Sequence, residues 1–260
     1  MPRRSPEDPA SALLAALARV AAHHAARASD AGSGQLQASI GRWQARRLRR
    51  TYADLEAMPR YAAAVRFFET DLYGGGDFAQ RDADLARVVP VMKRLLPDRV
   101  IATVATAVEL NVLSLDLDAA LGRELAASRS KMADEHGTTK QATAEPRTAD
   151  RIAVAEYCAA YRAAGCYVDR VLQIRMAGDV GVALDRYVHK PMLRGALGLM
   201  RKPAHAAGLG ALQDFLERGF DAFAQMDGAV EFLATIETRE RAVHDAIVGG
   251  SDTPFPDPDV

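Results

Sequence analysis

Two Lys-Pro steps, Lys190-Pro191 and Lys202-Pro203, gather the residues of this chain best suited to chemistry. His189 stands beside the first step and His205 just after the second, with Lys190, Arg201 and Lys202 supplying positive charge nearby. Haem needs one axial histidine and an apolar pocket, and the cations could meet its propionates or another anion. A histidine at a helix end, complementing the macrodipole, needs no ligand at all. Each proline disfavours helical geometry at the residue before it. Helices are therefore expected to kink or break near 190 and 202.

A second stretch, "RFFETDLYGGGDFAQRD" at 66–82, combines two adjacent aromatics, three glycines and four acids. Asp71 and Tyr73 are its candidate binding groups. A phosphate-cradling loop would place Lys and Ser/Thr after the glycines, or show G-x-G-x-x-G leaving a strand. Neither is present. The spacing reads instead as stop, hinge and start: Gly74 as a left-handed cap, then Asp77 as N-cap with Gln80 completing a capping box. Arg42, Arg46, Arg49 and Arg50 share one helix face and form the candidate surface for an acidic partner or phosphate. Arg50 and Asp54, four apart, also suit a simple solvated pair.

The remaining chemistry is thin. No Glu-x-x-His, His-Glu-x-x-His or Cys/His zinc spacing occurs, so no metal ligands are assigned. Glu240 and His244 share a helix face and read as a surface pair. No Gly-x-Ser-x-Gly elbow is present. Cys158 and Cys166 stand eight apart on one expected helix, a rise of about 12 Å, too far for an unstrained disulfide. Both read as small buried packers.

The elements that must position these residues are helices. Alanine is abundant and only 6% of residues are aromatic, which favours close helix packing over a β-sandwich. "PASALLAALARVAAHHAARAS" at 9–29 is one helix, ended by the turn-forming "DAGSG". Leu36, Ile40, Trp43, Leu48, Tyr52 and Leu55 line the next. Pro59 opens a helix with Tyr61, Val65, Phe68 and Leu72 inward; Leu85, Val88, Val89, Met92 and Leu95 line another, kinked by Pro90. Val100, Ile101, Val104 and Val108 face the core of a helix behind Pro97. Residues 128–148 lack apolar pattern and read as a long polar loop, a lid or a linker. A long alanine-faced helix runs from 148 through Ile174. Two antiparallel helices joined at Asp227-Gly228 close the domain. The fold class is all-α: a multi-helix, bundle-like domain of about eight helices over 9–248, with 1–8 and 249–260 disordered.

A net charge of −1 argues against bulk binding to nucleic acid or an anionic membrane. No stretch approaches 18 uncharged apolar residues and the N-terminus lacks a signal-peptide pattern, so a cytoplasmic protein is expected. "FFETDLY" at 67–73, "RDADLARVVPVMKRLLP" at 81–97 and "LQDFLERGFDAFAQMDGAVEFLATIETRE" at 212–240 resemble the bacterial FFLEELY-motif proteins. The likeness runs from about residue 35 to 247. Phe67, Phe68, Leu72 and Tyr73 agree with the motif and Asp71 replaces a Glu, whereas Glu69 stands in place of Leu and Thr70 in place of Glu. The resemblance implies a bacterial helical protein and carries no mechanism. Two functions stay open: a non-enzymatic interaction protein that binds a protein or small molecule through helix surfaces, self-association included, or an enzyme or carrier holding haem or another apolar ligand near the Lys-Pro steps.

Overall fold

Leu13, Ala16, Leu17 and Val20, at helical spacing, turn one flank of Pro9–Ser29 into an apolar stripe, and each is buried. This is α1 in a computed structural model that describes residues 8–72, 78–136 and 151–259. Among the described residues the chain is all-α, with eleven α-helices and no strand. α2 (Ala31–Thr51) follows α1 almost directly, because the Asp30 carboxylate caps it by accepting the Ser33 N–H at 3.2 Å. "DAGSG" is thus a cap and a first helical turn. A single turn, α3 (Ala53–Glu56), leads to α4 (Pro59–Phe67), where proline at the first position has the helical φ already set.

α5 (Ala79–Leu95) and the 39-residue α6 (Asp98–His136) pack against α1. At 1.5 Å per residue α6 is about 58 Å long, so it reaches two cores. Its first half contributes Ile101, Val108 and Val112 to a cluster with Leu13, Val20 and Val89. Its second half gives Leu121 and Leu125 to a cluster around Trp43, Ile152, Tyr157 and Ile247. The stretch Asp98–Asp134 is long and apolar enough to cross a membrane by length and composition, a test that a core helix also passes. A third cluster joins Tyr61, Val65, Phe223, Met226 and Phe232. Each large apolar side chain fully removed from water there contributes roughly 1.5–3 kcal/mol.

The second half of the chain comprises α7 (Val154–Ala164), α8 (Tyr167–Val188), α9 (Pro191–Ala206), α10 (Gly210–Gln225) and α11 (Val230–Val248). The turn between α10 and α11 uses positive φ at Asp227 and Gly228, as expected.

Several expectations are corrected. Among the described residues there are eleven α-helices rather than about eight. The helix expected to run from 148 through Ile174 is broken by Gly165 at φ 66°, so Cys158 and Cys166 lie on either side of a break; both are free. Residues 128–136 continue α6 instead of opening a loop, and 137–148 lie outside the described residues. Pro203 sits inside α9 with no break at 202. A proline removes only one helical donor, and pairs from α9 to α10 on both sides of it hold the last turn. Residues 249–259 are not a detached tail: Phe255 is buried in the Trp43 cluster. At the other end Asp8 accepts from Lys93 at 2.7 Å, and 1–7 lie outside the description. Leu95 is 67% exposed instead of inward.

Candidate functional site

α9 is the least buried of the long helices, and its register divides it into three flanks. It rests on α10 and α8; its less exposed positions, Leu193, Leu197 and Ala204, recur four and seven residues apart. A second flank is ionic. Arg194 meets Asp221 at 3.5 Å, Arg201 meets Glu217 at 2.6 Å and His205 meets Asp214 at 3.3 Å, all acids of α10. Gln213 donates to Glu217 and to the Leu197 carbonyl, and hydrogen bonding from Arg201 holds the Glu217 carboxyl below its ordinary range. The third flank is bare. Met192, Ala196, Leu199 and Pro203 follow at steps of four, three and four, with Met192 69% and Leu199 79% exposed and Met200 beside them.

The residues singled out near the Lys-Pro steps are thereby accounted for, and they do not converge on one pocket. His189 ends α8 and faces Asp185 of its own helix at 3.7 Å. Lys190 is the N-cap position of α9, and Lys202 points to solvent. Arg201 and His205 are spent on α10. Asp71 takes Arg218 of α10 at 2.6 Å. Tyr73 lies outside the described residues, as do Gly74 and Asp77. Gln80 donates to Asp84 at 2.8 Å and Phe78 is the N-cap position of α5; the capping box expected between Asp77 and Gln80 involves a residue outside the description.

The motif region has a feature that α-helical spacing hides: Phe68–Leu72 is a π-helical turn. Its wider winding shifts the register, so Leu72, expected inward, is 41% exposed while two acids turn into the protein. Glu69 pairs with Arg49 of α2 at 2.9 Å and Asp71 with Arg218. Arg81 lies between the Phe78 and Phe215 rings, 4.4 and 4.6 Å from their centroids, and donates to the Asp71 carbonyl. The turn clasps α2, α5 and α10 together. It also divides the expected arginine stripe: Arg49 serves Glu69, Arg46 serves Asp259 at 2.7 Å and Arg42 donates to Ser39. Arg50 is exposed, but Asp54 pairs with Arg239 instead.

The strongest electrostatic feature is internal. Arg47, 9% exposed, makes two hydrogen bonds to Glu240, at 2.6 and 2.9 Å, and the Tyr52 hydroxyl donates to the same carboxylate at 2.6 Å. Burial pushes the Glu240 carboxyl up; the Arg47 charge and these bonds outweigh it and leave the group below its ordinary value. One turn on, His244 is buried and shares a 2.7 Å hydrogen bond with the Tyr161 hydroxyl; burial holds its imidazole below the usual value. Glu240 and His244 are therefore not a surface pair. Close by, burial raises the Asp118 carboxyl, which accepts from Gln44. Sequence carried one signal for this network: Arg47 follows Ile40 and Trp43 on the apolar face of α2.

Cavities among the described residues lie elsewhere. One of about 490 Å³, between α1, α6 and α8, is lined by His23, Asp116, Arg123, Cys166 and Asp169, with His23 and Asp116 3.0 Å apart. Another of about 330 Å³ is largely apolar and lies between α1 and α5 beside the His24–Asp82 pair. His189 and His205 line neither. Among the described residues no three His, Cys, Asp or Glu side chains are grouped to hold a metal ion. Burial pushes the Cys158 thiol up to about 11, which keeps it protonated and unreactive.

The model of a family described as a domain of unknown function, DUF8198, matches residues 22–254, and the chain belongs to that family. No curated protein and no solved structure matches significantly.

Proposed function

We propose that this member of the DUF8198 family is a non-enzymatic, cytoplasmic interaction protein that docks an apolar helix of a partner protein along α9. The observation that carries the reading is the bare flank of Met192, Ala196, Leu199, Met200 and Pro203. Exposed apolar residues scattered singly need no explanation, whereas a stripe at helical spacing is how a helix presents anchors to a groove or another helix. Charge selects the partner's chemistry. Arg194 and Arg201 are neutralised by acids of α10, and His205 contacts Asp214 there, which leaves Lys190 and Lys202 at the two ends of the stripe; among the described residues no acid pairs with either. A partner helix with apolar residues every three or four positions and an acid near each end would complement both features.

The test is site-specific photo-crosslinking in the cells that make the protein. A photoreactive residue at Ala196 should give a discrete protein adduct, and Leu199→Glu in the same chain should abolish it while leaving the helical spectrum and melting temperature in place. An adduct to a second copy of the chain would reassign the occupant to self-association. The same weak background at Ala196 as at an exposed position of α1 would sink the reading.

A further inference from the structure

An independent observation concerns the segment after α11. Gly249 and Gly250 end that helix, Gly250 at φ 95°, and "SDTPFPDPD" then runs from 251 to 259 without helix. Its three prolines fix φ and withhold donors, which keeps it out of helix. It is fastened at three points. Arg162 donates to Asp252 at 2.7 Å and to the Ser251 carbonyl at 3.1 Å. Phe255 enters the core at 8% exposure, its ring edge-on to Trp43 at 5.8 Å and to Tyr157 at 6.2 Å, with the Arg47 guanidinium 5.5 Å from its centroid. Arg46 donates to Asp259 at 2.7 Å.

The receiving side is a socket made by two helices. α2 supplies Trp43, Arg46 and Arg47, and α7 supplies Tyr157 and Arg162. Trp43 stacks on Tyr157 at 4.4 Å to form the aromatic wall, so the wall is held together without Phe255. Among the described residues the buried Trp43 indole N–H meets no protein acceptor. A flat aromatic slot with a cation above it and an arginine at either end recognises an extended chain that carries an aromatic anchor between carboxylates.

We propose that this socket is a peptide-docking site for a partner segment of that chemistry, an aromatic residue bracketed by prolines with aspartates on both sides, and that residues 251–259 occupy it in cis. A short tether holds its own ligand at an effective concentration on the order of millimolar, so a free peptide enters only when the resident segment is weakened or outcompeted.

The chain contains one tryptophan, so tryptophan emission reports the socket itself. In full-length Phe255→Ala, emission should shift to the red, and a synthetic peptide of sequence SDTPFPDPD should reverse the shift saturably. The same peptide with Ala for Phe should have no effect. The unsubstituted protein, whose own segment already covers Trp43, should bind the same peptide carrying a fluorescent label only at concentrations at least about tenfold higher, because its own segment competes. No saturable response from a helical Phe255→Ala protein at millimolar peptide would overturn the proposal. Should that variant lose its helical spectrum, Asp252→Asn with Asp259→Asn keeps the aromatic anchor and loosens only the ends. It should bind the fluorescently labelled peptide more tightly than the unsubstituted chain, and equal or weaker binding would overturn the proposal as well.

Discussion

Replacing Glu240 with alanine should be among the most damaging single changes in this protein. The carboxylate accepts three hydrogen bonds, two from Arg47 and one from Tyr52. Its loss leaves the Arg47 guanidinium in the core without a counter-charge, a situation that costs about 3–5 kcal/mol. Native stabilities are commonly about 5–15 kcal/mol, so the variant would lose a large fraction of the total. The pair as a whole is a different matter, since desolvating both ions offsets most of their attraction. Arg47→Leu combined with Glu240→Leu should therefore cost far less than the sum of the two single changes, about 6–10 kcal/mol, and leave a coupling of several kcal/mol. The loss of the Tyr52–Glu240 hydrogen bond and of the Arg47–Phe255 contact sets the residual. The assay is urea unfolding followed by far-UV circular dichroism, comparing midpoints at constant slope. A Glu240→Ala cost below about 1 kcal/mol, or a double variant that loses the full sum, would refute the argument that this buried pair is held by mutual compensation.

Stability should also depend on pH through His244. Burial depresses its folded-state pKa, whereas the unfolded chain takes up the proton near pH 6.5. The contribution is therefore present above about pH 6.5 and is lost as pH falls through the folded-state value; melting temperatures from pH 7.5 to 5 should decline, and His244→Gln should flatten that decline. Two glycines give opposite expectations. A Cβ at Gly219 would lie 2.8 Å from the Phe67 ring, which is already packed by Phe68 and Phe215, so Gly219→Ala should cost about 1–3 kcal/mol. At Gly195, in α9, a Cβ meets nothing within 4 Å, and Gly195→Ala should gain about 0.5–1 kcal/mol from helix propensity. Thermal melts of the two variants separate these outcomes.

The helical class and most helix faces were legible because 3.6-residue periodicity is a local property. Ile40 with Trp43, Tyr61 with Val65 and Ile101 with Val108 can be read from spacing alone, and so can the Asp227-Gly228 turn. Spacing failed where the winding changed. The π-helical turn at Phe68–Leu72 sends Leu72 outward and brings Glu69 and Asp71 to arginines of other helices, and no one-dimensional pattern announces that extra residue. Gly165 was visible, but a glycine alone does not say that it will adopt a positive φ.

For the candidate site, sequence determined which side chains were available and tertiary structure decided what each was used for. Lys190, Arg201, Lys202 and the two histidines form a basic group near the Lys-Pro steps by their order in the chain. Folding sets α10 beside α9, and Asp214, Glu217 and Asp221 then take up His205, Arg201 and Arg194. Likewise Arg47 and Glu240, 193 residues apart, become one buried pair, and a proline-rich segment becomes the occupant of an aromatic socket because Phe255 meets Trp43. Composition and periodicity are fixed residue by residue along the chain, but charge pairing and burial depend on distance through space, which the packing of helices alone assigns.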